Sequence, residues 1–384
     1  MTDPDKVGRS IAAGAHPRRR VLATAATLGG VALAGCTGGD EEDGGTTPDD
    51  GPIGSELDGP GVTPEGTPWE ELPELSGELT IYSGRREAQI GPILGAIEDE
   101  YDDLTLSIRY ADNETHVEAI LEEGQNTPAD IIYTQDSGTL GVLAREHRTL
   151  SLPEDVLDTV PEEWRDPDGT WTGLSGRARC VAFNTDAWDA DELPDDIFAY
   201  ADDPRFEDEM GWRVDSGSFL AWIRAMMIEY GDERTREYIT AMQEAGVRDY
   251  EGGSTTPDAV AAGEVTIGFV NQYYVGRLLA DRPDEPIDVT FTDGDIGSLF
   301  NVSGAGVIDA SDDADLAADF LRHLLATQAQ EMFVEVNKEY AVIPGVEYVG
   351  DLPTLEELNP PAFDLNELAE IEPAVDLLRD VGLR

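Results

Sequence analysis

Residues 78–138 read ELTIYSGRREAQIGPILGAIEDEYDDLTLSIRYADNETHVEAILEEGQNTPADIIYTQDSG, and the order of patterns within them decides the fold. Glu78–Ser83 is a short β run ending at Gly84. Ile90, Ile93, Leu94 and Ile97 then recur at helical spacing as far as Tyr101. Leu104–Tyr110 alternates as a strand, and Val117, Ile120 and Leu121 mark a second helix stopped at Gly124. Ala129–Tyr133 is a buried strand, followed by Thr134–Gly138 and a further helix. This β-α-β-α-β-α order predicts a largely parallel sheet with helices on both faces. Ligands of such sheets bind beyond the carboxyl ends of the strands, so Ser83–Glu87 and Thr134–Gly138 are the loops to inspect.

The rhythm restarts near Cys180–Phe183. Gly211–Val214, the turn Asp215–Phe219, and a helix from about Leu220 to Tyr230 follow. Val265–Val270 is a strand that runs into Asn271-Gln272-Tyr273-Tyr274, with a helix continuing to about Leu279. Asn301–Ile308 reads as a strand and Asp315–Val336 as one long helical stretch. No repeat at solenoid periods is present.

The N-terminal residues are of another kind. Arg18, Arg19 and Arg20 precede the apolar stretch Val21–Ala34, which is too short for a conventional membrane span and fits a signal-peptide core. The arginines imply export of a folded protein. Leu33-Ala34-Gly35-Cys36 resembles a lipobox, in which Cys36 is lipidated and becomes the mature N-terminus. Residues 1–35 therefore read as a twin-arginine lipoprotein signal and 36–77 as an acidic, Gly/Pro-rich tether. Trp69, Leu72 and Leu75 are the tether residues expected to dock. If Cys36 carries lipid, Cys180 has no partner for a disulfide.

The 384 residues carry 81 acidic and 25 basic side chains, a formal charge of -56. Removing residues 1–35 leaves 79 acidic and 20 basic residues, or -59. Such a charge excludes phosphate-held nucleic acid and basic-patch docking on anionic membranes. A hydrophobic content of 40% still permits a core. Twenty-three of the basic residues are Arg and only Lys6 and Lys338 are Lys. Acid-rich, Lys-poor surfaces suit multimolar salt, which screens self-repulsion, so the charge is read as halophilic adaptation.

No catalytic constellation is legible: there is no GxSxG, P-loop, HExxH or paired-Cys motif, and no catalytic residue is assigned. His116, His147 and His323 sit in helical patterns and read as surface or core histidines. Tyr273-Tyr274 stands out, because phenolate is a hard donor that Fe(III) can deprotonate well below its free pKa. Two aromatics packing at a strand end is the plainer reading of the same pair.

From about Gly77 onward the chain resembles the ferric-ion-binding proteins of ABC uptake systems. The landmarks are LTIYSGR at 79–85, TPADIIYTQDSGTLGVL at 127–143, WTGLSGRAR at 171–179, GEVTIGFVNQYY at 263–274 and GSLFNVSGAGVI at 297–308. The resemblance implies a type II periplasmic-binding-protein-like α/β fold: two lobes, a hinge and an interlobe ligand cleft. The expected first lobe is 78–178 plus 305–354, and the second 179–304 plus 355–384. It also implies iron ligation by Tyr273 and Tyr274, with a synergistic carbonate or phosphate held by Ser216-Gly217-Ser218 and Asn271. Arg86, Arg177 and Arg179 are expected to neutralise that anion, although inter-lobe salt bridging is the open alternative for Arg177 and Arg179. Gln135 and Asp136 are the candidate first-lobe contacts.

The sequence also departs from the family pattern. Arg86 stands where some members place a His, Gln135 replaces a Glu, Gly253 replaces an Asn and Phe219 a third tyrosine. The implied function is capture rather than catalysis: a lipid-tethered, monomeric receptor on the outer face of the membrane, delivering Fe(III) to an ABC permease. A receptor for a ferric chelate, or for thiamine, a polyamine or an oxyanion, is the alternative on the same fold.

Overall fold

The computed structural model describes residues 53–55, 67–348, 352–354 and 358–384. The signal, the twin arginines and Cys36 lie outside them. Nine strands are described: β1 Gly77–Ser83, β2 Leu104–Tyr110, β3 Ile131–Thr134, β4 Thr172–Asn184, β5 Met210–Trp212, β6 Arg248–Asp249, β7 Ile267–Asn271, β8 Ile287–Thr290 and β9 Phe300–Val307. The helices are α1 Glu87–Glu100, α2 Asn113–Glu123, α3 Ser137–Arg145, α4 Glu154–Asp158, α5 Ala199–Asp202, α6 Gly217–Tyr230, α7 Asp232–Glu244, α8 Thr255–Ala261, α9 Gln272–Asp281, α10 Ala314–Leu325, α11 Thr327–Met332 and α12 Glu372–Asp380.

The opening stretch forms the expected β1-α1-β2-α2-β3-α3 run. β1 lies between β2 and β3, parallel to both. The sheet is less parallel than expected, because β9 joins β3 antiparallel and β4 joins β9 antiparallel. β4 is the reason. Its thirteen residues are all buried, and it pairs with β9 over Thr172–Ala178, then with β7 over Arg179–Phe183. One strand thus leaves the first sheet and enters the second, where β5 pairs parallel with β6 and β7 and β8 lies on β4. A strand buried on both faces carries no polar/apolar alternation to mark its start, and TGLSGRARCVAFN has none there.

One expectation needs correction. The helical stretch at 315–336 is broken at Ala326, whose extended backbone (ψ 151°) separates α10 from α11. The tether residues expected to dock do so. Trp69, Leu72 and Leu75 are buried in the main core, and Trp69 Nε1 donates to the His323 carbonyl at 2.9 Å. Earlier still, Ser55 is held to Asp319 of α10 through both its amide and its hydroxyl. Burying such apolar side chains stabilises the docked form by about 1.5–3 kcal/mol each. The C-terminal residues pack in two places. Leu365–Ala369 packs on α3, with Asn366 bonded to Trp171 and Asp166, whereas α12 packs on α6.

Cys180 is a buried free thiol. No helix among the described residues is long and apolar enough to cross a membrane.

Candidate functional site

β7 passes into α9 without an intervening loop, Asn271 standing at the N-cap with extended backbone. β5 runs parallel to β7. The turn leading to α6 and the start of α9 therefore emerge together at the carboxyl ends of neighbouring strands, where ligands of such sheets bind.

Tyr273 and Tyr274 occupy the first turn of α9. Successive helical residues point about 100° apart, yet these rings lie with centroids 4.3 Å apart, inclined by 40°. Tyr273 is buried and Tyr274 partly exposed. Burial and then the neighbouring Tyr274 push the Tyr273 phenol up, while Arg177 opposes them. Such a phenol stays protonated until a strongly acidic cation displaces the proton. Arg277 lies over the Tyr273 ring at 4.7 Å, its Nε donating to the Asn337 carbonyl at 3.1 Å. Gly253 backs the second ring: a Cβ there would stand 2.7 Å from Tyr274 Cε1 and 3.0 Å from its hydroxyl. The absent Asn thus leaves the space that the Tyr274 phenol fills.

Guanidinium groups surround the pair. Arg177 and Arg179 alternate along β4 and share one face of it. Among the described residues neither forms an ion pair, although Arg177 helps to hold the buried Glu339 carboxyl below its ordinary range. Arg177 Nη1 and Arg179 Nε are buried without a partner, as is Asn271 Nδ2. Arg179 is register partner to Asn271, stacks over Trp222 at 4.7 Å and donates to the Phe269 carbonyl. Burial without a carboxylate lowers its pKa to about 10, so it remains a cation at neutral pH. Buried donors without acceptors are costly unless a ligand supplies the acceptor.

Ser216 caps α6, its Oγ accepting from the Phe219 amide at 3.1 Å and lying 3.3 Å from Ser218 Oγ. Gly217 opens onto free space, so the first amides of this 14-residue helix are sterically open to an anion. Phe219, at the position of the missing third tyrosine, is buried edge-on against Trp212 and Trp222.

The first-lobe expectations fare differently. Arg86 is exposed at the head of α1, where its amide donates to Gln89 Oε1. The arginine brought inward is its neighbour Arg85, fully buried and paired with Glu339. Asp136 is committed: it caps α3 through Thr139 and accepts from Asn113 Nδ2 at 2.6 Å. Gln135 is partly exposed, and its amide donates to Asn113 Oδ1.

Sequence reading missed four groups around the phenols. Arg85 and Glu339 both act electrostatically on or from Tyr273. Arg213 is raised by Asp215 and by both tyrosines, against the lowering effect of burial. Tyr133 carries a buried hydroxyl with no partner and feels Arg85 and Glu339. Only Arg85 had a signal, as the other half of an arginine pair after a strand. Among the described residues there is no group of three or more His, Cys, Asp and Glu that could hold a metal ion.

A sheet-spanning strand, a second sheet and an unpaired donor set at the strand ends define a binding protein, and the chain belongs to the bacterial extracellular solute-binding proteins, whose family model matches residues 126–364. This is a family of binding proteins, not enzymes. Iron uptake protein A2 of Synechocystis is 32% identical over 71% of this chain and 82% of its own length. Iron uptake protein A1 of the same organism is 26% identical over 86% and 94%. The crystal structure of iron-bound HitA from Pseudomonas aeruginosa is 29% identical, covers 80% of this chain and 99% of that one, and superposes with a TM-score of 0.72.

Proposed function

We propose that the chain is the receptor component of an ABC importer for Fe(III). The observation that carries this reading is the close, tilted Tyr273–Tyr274 pair at the head of α9, beside Arg177 and Arg179, each of which has a buried nitrogen without an acceptor. Two phenolates are hard donors suited to a trivalent ion. The remaining positions would be filled by a bidentate carbonate or phosphate and by water. Arg177, Arg179, Asn271 and the Ser216-Gly217-Ser218 turn would hold that anion. The relatives named above, called iron uptake proteins and an iron-bound binding protein, support the same cargo.

In this reading the second sheet's site binds first, and closure about the strands β4 and β9 brings up the loop after β1. The chain is exported with its twin-arginine signal, lipidated on Cys36, held as a monomer on the outer face of the membrane, and docked on a permease.

The test is optical. With Fe(III) and carbonate in multimolar salt the purified chain develops a tyrosinate-to-iron visible band. Tyr273→Phe and Tyr274→Phe each weaken iron binding by roughly a hundredfold or more, since loss of mere supporting contacts already costs about 10- to 100-fold. A colourless protein, with both variants behaving as the parent, overturns the reading. A second reading, a ferric chelate or an organic anion, is favoured by the excess of guanidinium over phenol (Arg177, Arg179 and Arg213 against two tyrosines); an organic anion would bind without metal, and a ferric chelate would bind where Fe(III) with carbonate does not.

A further inference from the structure

The segment around Glu339 carries no iron-binding motif, yet four parts of the chain converge on it. Arg85, in the loop after β1, directs Nη1 and Nη2 at Glu339 Oε2, each at 3.0 Å. The same Nη1 donates to Ser303 Oγ of β9 at 2.7 Å. Ser175 Oγ of β4 donates to Glu339 Oε2 at 2.7 Å, and Ser303 Oγ donates to the Thr134 carbonyl at the end of β3. Both charged side chains are almost wholly buried. One ion pair therefore pins the loop after β1, strands β4 and β9 and residues 337–340 to one another. Tyr340 adds a two-way backbone bridge to Gly176 of β4.

The pinned segment in turn grips the tyrosine helix. The Lys338 carbonyl accepts from Gln272 Nε2 at 3.2 Å, and Gln272 Oε1 accepts from the Ala178 amide of β4. The Asn337 carbonyl accepts from Arg277 Nε, and Arg277 lies on the Tyr273 ring. Asn337 Nδ2 reaches back to the Gln89 carbonyl of α1. Tyr273 is thus flanked by Gln272 on one side and Arg277 on the other, and both are bonded to residues within two positions of Glu339.

Resting on the iron reading above, we propose that Arg85 and Glu339 are positioning residues: their ion pair fixes residues 337–340, and that segment sets the orientation of the Tyr273 phenol and couples it to the loop after β1. Neither residue is a ligand. A buried ion pair is weak evidence of stability in itself, because desolvation offsets much of the attraction. Retention of both charges at this junction is better explained by the register they impose.

The test uses the full chain and two variants, Glu339→Gln and the charge-balanced Arg85→Gln/Glu339→Gln, which leaves neither member of the pair buried without the other. In the metal-free protein, amide hydrogen exchange is read in α9 and, as comparator, in α12. The proposal expects α9 to lose protection by about tenfold or more in both variants while α12 holds, a local opening rather than a global one. With Fe(III) and carbonate the tyrosinate band should move in wavelength or in intensity per bound iron. Equal loss in α9 and α12 in the double variant, or no loss in either, overturns the proposal. So does an unmoved band in a variant that binds iron. A parent chain that gives no band defeats the iron reading alone, since the exchange measurement still decides the coupling.

Discussion

At Gly253 a missing side chain shapes the site as much as any side chain present. The Tyr274 ring fills the space that a Cβ would need, and the atoms in the way are the far end of that ring rather than backbone. Gly253→Ala should therefore displace Tyr274 and spare the fold. The expected outcome is weaker iron binding with a stability change within about 1 kcal/mol, checked by iron titration beside a denaturant melt. The tyrosine pair was legible because its two members are adjacent in sequence, and because a strand running into them placed them at a strand end. Arg85 and Glu339 were not: 254 positions separate them, and Glu339 is one of 81 acids with nothing local to mark it. Choosing Arg86 over Arg85 was an error of a single position, and it exchanged a buried guanidinium for an exposed one. Asp136 looked available because a helix cap cannot be told from a ligand without seeing Thr139 and Asn113 satisfied by it.

Among the elements, the docked segment around Trp69 has the clearest consequence. Trp69 bonds the His323 carbonyl, and the Tyr101 hydroxyl lies 2.7 Å from the Trp69 carbonyl and 2.8 Å from His323 Nε2. Trp69→Ala should cost about 3 kcal/mol or more, by analogy with buried aromatic truncations, and leave the visible band per bound iron unchanged. A denaturant midpoint paired with the iron spectrum checks both halves. His323, inside the same contact, gives a pH dependence. Burial lowers its imidazole to about 4 from an ordinary 6.5. The folded value lies below the unfolded one, so the unfolded chain takes up the proton first as pH falls. Stability is full above about 6.5 and declines toward pH 4, by about 3 kcal/mol in all. His323→Gln should flatten that decline, seen by comparing denaturant midpoints at neutral and mildly acidic pH. Elements with a strong period, such as α1 and β2, were plain in the sequence. The break between α10 and α11 was hidden because Ala326 and Thr327 include no Gly or Pro to announce it.

For the whole molecule, the acidic excess and the topology pull in different directions. The charge of -56 is spread along the chain, and self-repulsion at low salt opposes compaction. Raising salt from about 0.1 M to 1 M shortens the screening length from about 10 Å to about 3 Å. The thermal midpoint should climb over that range and continue upward into multimolar salt; a midpoint that is flat or falls would contradict the halophilic reading. The topology acts on a different process, the making of the protein. β9 stands between β3 and β4, so the first sheet, begun at residue 77, lacks an interior strand until residue 307 has been synthesised. A nascent chain stopped before that point exposes the long edges of β3 and β4, which are open to wrong pairing. Folding must therefore wait for four-fifths of the chain to leave the ribosome, and the finished fold cannot be threaded across a membrane piecemeal without undoing that late step. A passage that accepts cargo already folded would let such a chain complete its fold before it leaves the cell.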